Sequence, residues 1–129
     1  MTYPFEETKY LCISSSLIGV SALYMYIYDS TLSILLATLS LTSINHWRNY
    51  VENGIRQRID IACVFLCGLY IGWKTLCDKN EFKLYFSFSV LVCLALFFFI
   101  SMRGCSYWVV SHVSLHLYLS FFVPFLYIL

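Results

Sequence analysis

The sequence predicts an all-α, polytopic transmembrane helical bundle of five spans. Three observations lead there. Of 129 residues, 60% are hydrophobic and only 12% are charged, against roughly 25% charged in a soluble domain. A soluble fold of this size has too little interior to hide so much apolar surface, so lipid is the expected solvent. The apolar residues also fall into long runs parted by short polar breaks, with no polar segment long enough for a second domain. Residues 1–129 are therefore read as one integral membrane domain. The net charge of +1 gives no electrostatic case for nucleic acid.

The first run is 11–28, preceded by Pro4, Glu6 and Glu7, acids suited to a helix N-terminus. The N-terminus lacks the basic region and cleavage site of a secretory signal, so this run is read as a retained span. Asp29 and Ser30 interrupt it, and apolar residues resume over 31–47. A short break fits a tight helical hairpin, with Asp29-Ser30 capping the second helix. The alternative, four spans, makes these two runs a single bent helix. Such a helix would be about 54 Å long, well over a bilayer core. Polar residues follow to Arg58, with Gly54 as the natural helix break. The third span covers 59–77, with Asp60 near its start, and the loop 78–83 is short and charged. The fourth span covers 84–102, and Arg103-Gly104 makes the next turn. The fifth covers 105–128, with Pro124 as a late kink.

With five spans, Lys9, Arg48, Arg56, Arg58 and Arg103 fall on the N-terminal side and Lys74, Lys79 and Lys83 on the other. The positive-inside rule then puts the N-terminus in the cytoplasm. Most of the cysteines lie within apolar runs, where Cys behaves as a small hydrophobe. Cys63 and Cys67, four apart, have metal-ligand spacing, but plain packing is the commoner reason for it.

The chemistry-bearing residues gather on one side. His46 ends span two, Asp60 begins span three, and His112 and His116 lie in the first half of span five. The last two stand four apart, on one helix face. His112 is about 10 Å along the axis from Cys105, so all four are expected at similar depth near the cytoplasmic face. Ionisable residues inside a membrane are costly and usually face protein or water. Three imidazoles are a recognised catalytic zinc set with water in the fourth position, and zinc lowers that water's pKa to about 7. Asp60 is then expected to orient a ligand, to bind the water or to act as general base.

Plainer readings stand beside this one. His46, next to Trp47 and Arg48, sits at headgroup level. Asp60 is a helix-start acid or pairs with Arg58. His112 and His116 hydrogen-bond between helices. A channel or proton path needs polar residues on both halves of the bundle, and the other half supplies few.

The order of these residues resembles that of the CREST-type membrane hydrolases, which include alkaline ceramidases and adiponectin receptors. Thr42-x3-His46, in TLSLTSINHW, stands where that family has Ser-x3-His. Asp60, in RQRIDIACVF, stands for its Asp, and His112-x3-His116, in SHVSLHLYL, for its final His-x3-His. The resemblance implies zinc held by His46, His112 and His116, Asp60 in contact with the water, and a hydroxyl from Thr42 or Ser43. It also implies hydrolysis of lipid amides or esters. The family has seven spans. Span four here stands in place of three, which preserves the side on which the last helix starts. The alternative function is a non-enzymatic membrane protein acting through helix packing, membrane lipids, a homo-oligomer or a partner membrane protein.

Overall fold

The computed structural model describes residues 5–102 and 108–128. Pro4, the Arg103-Gly104 turn and Cys105 lie outside the described residues. Five helices make up most of the described residues: α1 (Phe5–Met25), α2 (Ser30–Arg48), α3 (Ile55–Cys77), α4 (Glu81–Met102) and α5 (Trp108–Ile128). Each packs on its neighbour in sequence, and α5 returns to α1, so the helices form a ring. The ring has a seam, because α3 and α4 touch only briefly.

The first two runs are separate helices, which removes the single bent helix. Residues 26–28 form a turn, and Asp29, in extended conformation, caps α2 by accepting the Leu32 N–H at 3.0 Å. The two helices meet closely. Gly19 faces Ser40, whose Oγ lies 2.9 Å from where a glycine Cβ would be. Ser40 Oγ donates to the Ser15 carbonyl at 2.8 Å, and Ser33 Oγ to the Ala22 carbonyl at 2.6 Å. Small residues let the backbones approach, and hydroxyls bond across the gap.

Helices α3 and α4 begin a few residues earlier than the apolar runs, because polar residues form their first turns. Between α2 and α3 it is Asn53, not Gly54, that takes the left-handed conformation, with φ 58°. Gly54 is the N-cap of α3, and its Cβ position lies 3.1 Å from the Val51 carbonyl oxygen. The Asn80 side chain accepts from Phe82 N at 3.0 Å and Lys83 N at 3.3 Å, starting α4. In the same loop, the Asn80 backbone N–H and the Lys83 ammonium hold the Asp78 carboxyl below its ordinary 3.8.

Among the described residues three helices, not five, are long and apolar enough to cross a membrane: Ile55–Cys77, Glu81–Ile100 and Val109–Tyr127. Helix α1 falls short because of its charged first turn and its serines, and α2 because of its many serines and threonines. Yet these two lie at the heart of the packing. Leu11, Ile18, Met25, Leu32 and Leu36 are fully buried. Some of their hydroxyls are satisfied locally, as Ser16 Oγ is on Cys12 O at 3.1 Å and Thr38 Oγ1 on Ile34 O at 2.8 Å, while Ser21 Oγ is buried with no hydrogen-bond partner among the described residues.

At the Asp29 end the ring is tied by one carboxylate. Tyr70 of α3 donates to both Asp29 oxygens, at 3.0 and 2.9 Å. Tyr127 of α5 donates to Oδ2 at 3.2 Å, and Lys74 of α3 pairs with it at 3.4 Å. Burial raises the Asp29 pKa, but the Leu32 N–H, the two tyrosines and Lys74 outweigh it, leaving the carboxyl below its ordinary 3.8.

Candidate functional site

The other end of the ring holds a cavity of about 190 Å³. His46, Asp60, His112 and His116 all line it, with Ser43 beside them. Three helices deliver these groups: α2 carries Ser43 and His46, α3 carries Asp60, and α5 carries both other histidines. Helical register explains the pairings. Ser43 and His46 are three apart, His112 and His116 four apart, so each pair presents one face. The residues expected at one depth are thus brought to one place.

Asp60 is 5% exposed. Ser43 Oγ lies 2.5 Å from its Oδ1, and Thr42 Oγ1 lies 3.1 Å from the same oxygen. Among the described residues Asp60 has no ion-pair partner, so the pairing with Arg58 does not form. Thr42 reaches Asp60 from outside the cavity lining, and Ser43 is the hydroxyl that reaches both.

His46 is 2% exposed, so its ring faces protein. Its ring packs on Trp47 and Tyr50 at centroid distances of 4.4 and 5.1 Å. Its Nδ1 is buried with no hydrogen-bond partner among the described residues. A buried nitrogen in that condition costs about 1–3 kcal/mol unless something fills the role. His112 meets the Trp47 ring edge-on at 4.8 Å and His116 at 4.9 Å, 89° apart. His116 Nδ1 lies 2.7 Å from Ser14 Oγ and 3.4 Å from Ser15 Oγ. The interhelical hydrogen bonding considered for both histidines thus appears at His116, towards α1.

Among the described residues, no three or more His, Cys, Asp and Glu side chains are gathered into a group that could hold a metal ion as they stand. This includes Cys63 and Cys67, which are free thiols; Cys67 is buried in the core.

The sequence reading missed Ser14 and Ser15, and also the polar floor of the cavity, Tyr50, Glu52, Asn53 and Gln57. The signal for the floor was present: these four fall among the polar residues between His46 and Asp60, in the connection that any close approach of those two must carry along. No comparable signal marked Ser14 and Ser15, which look like any helical serines.

An apolar groove of about 340 Å³ adjoins the cavity, between α3 and α4. The two share Leu39, Val64, Phe98, Leu115 and Leu119 as walls. The groove lies along the seam of the ring. It is lined by Gly68, where an added Cβ meets nothing within 4 Å, and by Leu91, Leu94 and Ala95 of α4.

No family model, curated protein or solved structure matches the chain.

Proposed function

We propose that the chain is a small integral membrane hydrolase that cleaves lipid amides or esters at a zinc centre held by His46, His112 and His116. The observation that carries this reading is the cavity: three imidazoles, a carboxylate and a hydroxyl from three helices line it, and an apolar groove shares its wall. The arrangement resembles that of the CREST-type hydrolases. The donor set fits zinc in chemistry, since neutral imidazoles are good zinc ligands and His46 Nδ1 is a buried nitrogen without a partner. His46, His112 and His116 would hold the zinc, and their nitrogens would have to draw together to do so, since they are not gathered into a metal-holding group as they stand.

Zinc supplies Lewis acidity and a water acidified to a pKa of about 7. The residues do the rest. Ser43 and Thr42 both bond Asp60 Oδ1, so Oδ2 is the oxygen left to take a proton from the attacking water. That water's oxygen bonds the substrate carbonyl carbon, the carbon–nitrogen or carbon–oxygen bond breaks, and Asp60 returns its proton to the leaving amine or alcohol. The acyl chain lies in the groove, entering from the bilayer through the seam, and its carbonyl sits at the shared wall. All five helices cross the membrane in this reading, α1 and α2 sheltered by their neighbours, with the N-terminus in the cytoplasm.

The test is release of fatty acid from lipid amides and lipid esters by the purified chain. Asp60→Asn is expected to lower the rate at least 100-fold. Equal release by wild type and variant, or none by either with zinc supplied, contradicts the reading. A non-enzymatic helical bundle is the second reading. It is favoured by the absence of an assembled metal group among the described residues, and it predicts no hydrolysis at all.

A further inference from the structure

The Asp29 end of the ring holds a second pocket, of about 560 Å³. Lys74 in the last turn of α3, Lys79 in the loop and Lys83 in the first turn of α4 all line it. Ile71 and Leu126, both buried, give it apolar walls. The charges there do not cancel. Lys74 pairs with Asp29 at 3.4 Å and Lys83 with Asp78 at 3.2 Å. Asp78 also lines the pocket, and its carboxylate accepts the Asn80 backbone N–H at 3.1 Å. Lys79 has no carboxylate within ion-pair distance among the described residues. Glu81, the next acid along the chain, is not among the lining residues. Three ammonium groups against two carboxylates leave one positive charge, carried by Lys79. Ile71 is also a wall of the apolar groove between α3 and α4. From there the groove continues past Gly68 to Val64, about 10 Å along α3.

We infer that this end of the ring binds an anionic phospholipid, with its phosphate among Lys74, Lys79 and Lys83 and one acyl chain in the groove between α3 and α4. A cationic pocket that shares a wall with an apolar groove matches an amphiphile with a negative head and a hydrocarbon tail. A phosphodiester carries one negative charge, which matches the unpaired ammonium. Lysines at a bilayer surface attract anionic headgroups, and an ammonium binds phosphate as a point charge. The chain fits the packing too. Helices α3 and α4 touch only briefly, and a hydrocarbon between them covers apolar walls that neither helix covers for the other. The ester carbonyls of such a lipid lie at the lysine end, away from His46 and Asp60, so it is bound rather than cleaved. In the hydrolase reading it excludes a substrate chain from the groove; its binding does not rest on that reading.

The experiment counts lipids on the full chain by native mass spectrometry in detergent. The probes are dioleoylphosphatidylglycerol and dioleoylphosphatidylcholine, which share their chains and differ in head charge. The expected result is one phosphatidylglycerol per chain, bound at least about fivefold more tightly than phosphatidylcholine. Lys79→Gln is expected to weaken it about fivefold and Lys79→Glu about 25-fold, as one and then two charges are lost. Lys79→Arg is expected to keep it. Lys79 is exposed, so these variants leave the helix packing alone. Gly68→Leu fills the groove without touching a lysine and is expected to weaken phosphatidylglycerol as well. Arg56→Gln, which removes the same charge at the other end of α3, is expected to change nothing. Equal affinity for the two lipids overturns the inference. So do equal losses in Lys79→Gln and Arg56→Gln, which indicate only a general attraction of charge. Wild-type binding by Gly68→Leu removes the chain from the groove and overturns it too. Displacement of the lipid by inorganic phosphate at equal concentration, which brings no chain, likewise contradicts it.

Discussion

Two hydroxyls on one carboxylate oxygen define the residue-scale account. Ser43 and Thr42 point at Asp60 Oδ1 from α2, and they differ in reach. Thr42 Oγ1 is also 3.0 Å from the Leu39 carbonyl, so its single proton has a second acceptor, whereas Ser43 has the shorter contact with Asp60. Ser43→Ala is therefore expected to cost more than Thr42→Val. A 10–100-fold drop in lipid hydrolysis is expected for the first, as for other groups that orient a reacting residue, and less than 10-fold for the second. Initial rates with a lipid amide check this, and a larger loss in Thr42→Val contradicts it. The carboxylate, the histidines and the Thr42 and Ser43 hydroxyls were legible in the sequence because such residues are conspicuous in apolar runs. Ser14 and Ser15 were not. A helical serine bonds its own i−4 carbonyl whether it faces lipid or a buried imidazole, so the residue type says nothing of the partner.

The hairpin of α1 and α2 carries the account at the scale of the element. Its helices are the least apolar of the five and contain the most deeply packed side chains. Serines and Gly19 give close approach where bulk would keep the helices apart. A Cβ at Gly19 would press on Ser40 Oγ, which holds the Ser15 carbonyl. Gly19→Val is expected to destabilise the chain by about 1–3 kcal/mol, and adding Ser40→Ala to recover part of that. Unfolding in mixed micelles measures both, and strict additivity of the two changes contradicts the contact. At the turn, Asp29 caps α2 and binds Tyr70, Tyr127 and Lys74. Its carboxyl titrates below its ordinary 3.8 in the folded state. The stability it contributes is therefore complete above that value and is lost as pH falls through the lower, folded value. Asp29→Ala is expected to cost about 2–4 kcal/mol at neutral pH and to flatten that acid limb. A variant with the wild-type acid profile contradicts this. The break at Asp29 was legible from capping chemistry. The partners on α3 and α5 were not, since nothing in the local sequence says which helices close the ring.

On the scale of the molecule, the ring is thinnest between α3 and α4, and the apolar groove runs there beside the cavity. Five helices and their breaks could be read from composition because charge and glycine punctuate them. Which faces turn inward could not, because helices as uniformly apolar as α4 and α5 show little contrast from one face to another. The seam gives a test that separates the lipid path from stability. Gly68→Leu puts a side chain where a Cβ meets nothing within 4 Å, so folding is expected to change little, while the acyl chain loses room. The expected outcome is a rise in KM of about tenfold or more for long-chain substrates and a smaller one for short-chain substrates. An equal effect on both contradicts entry through the seam.

In the proposed function His46, His112 and His116 share one zinc ion, and that sharing is open to direct measurement. Its most direct test is zinc per chain, by elemental mass spectrometry, on protein purified in detergent without chelators and dialysed against micromolar zinc. Near one zinc per wild-type chain is expected, and near none in folded His112→Ala/His116→Ala or His46→Ala. No zinc in the wild type, or full occupancy in either variant, contradicts the account.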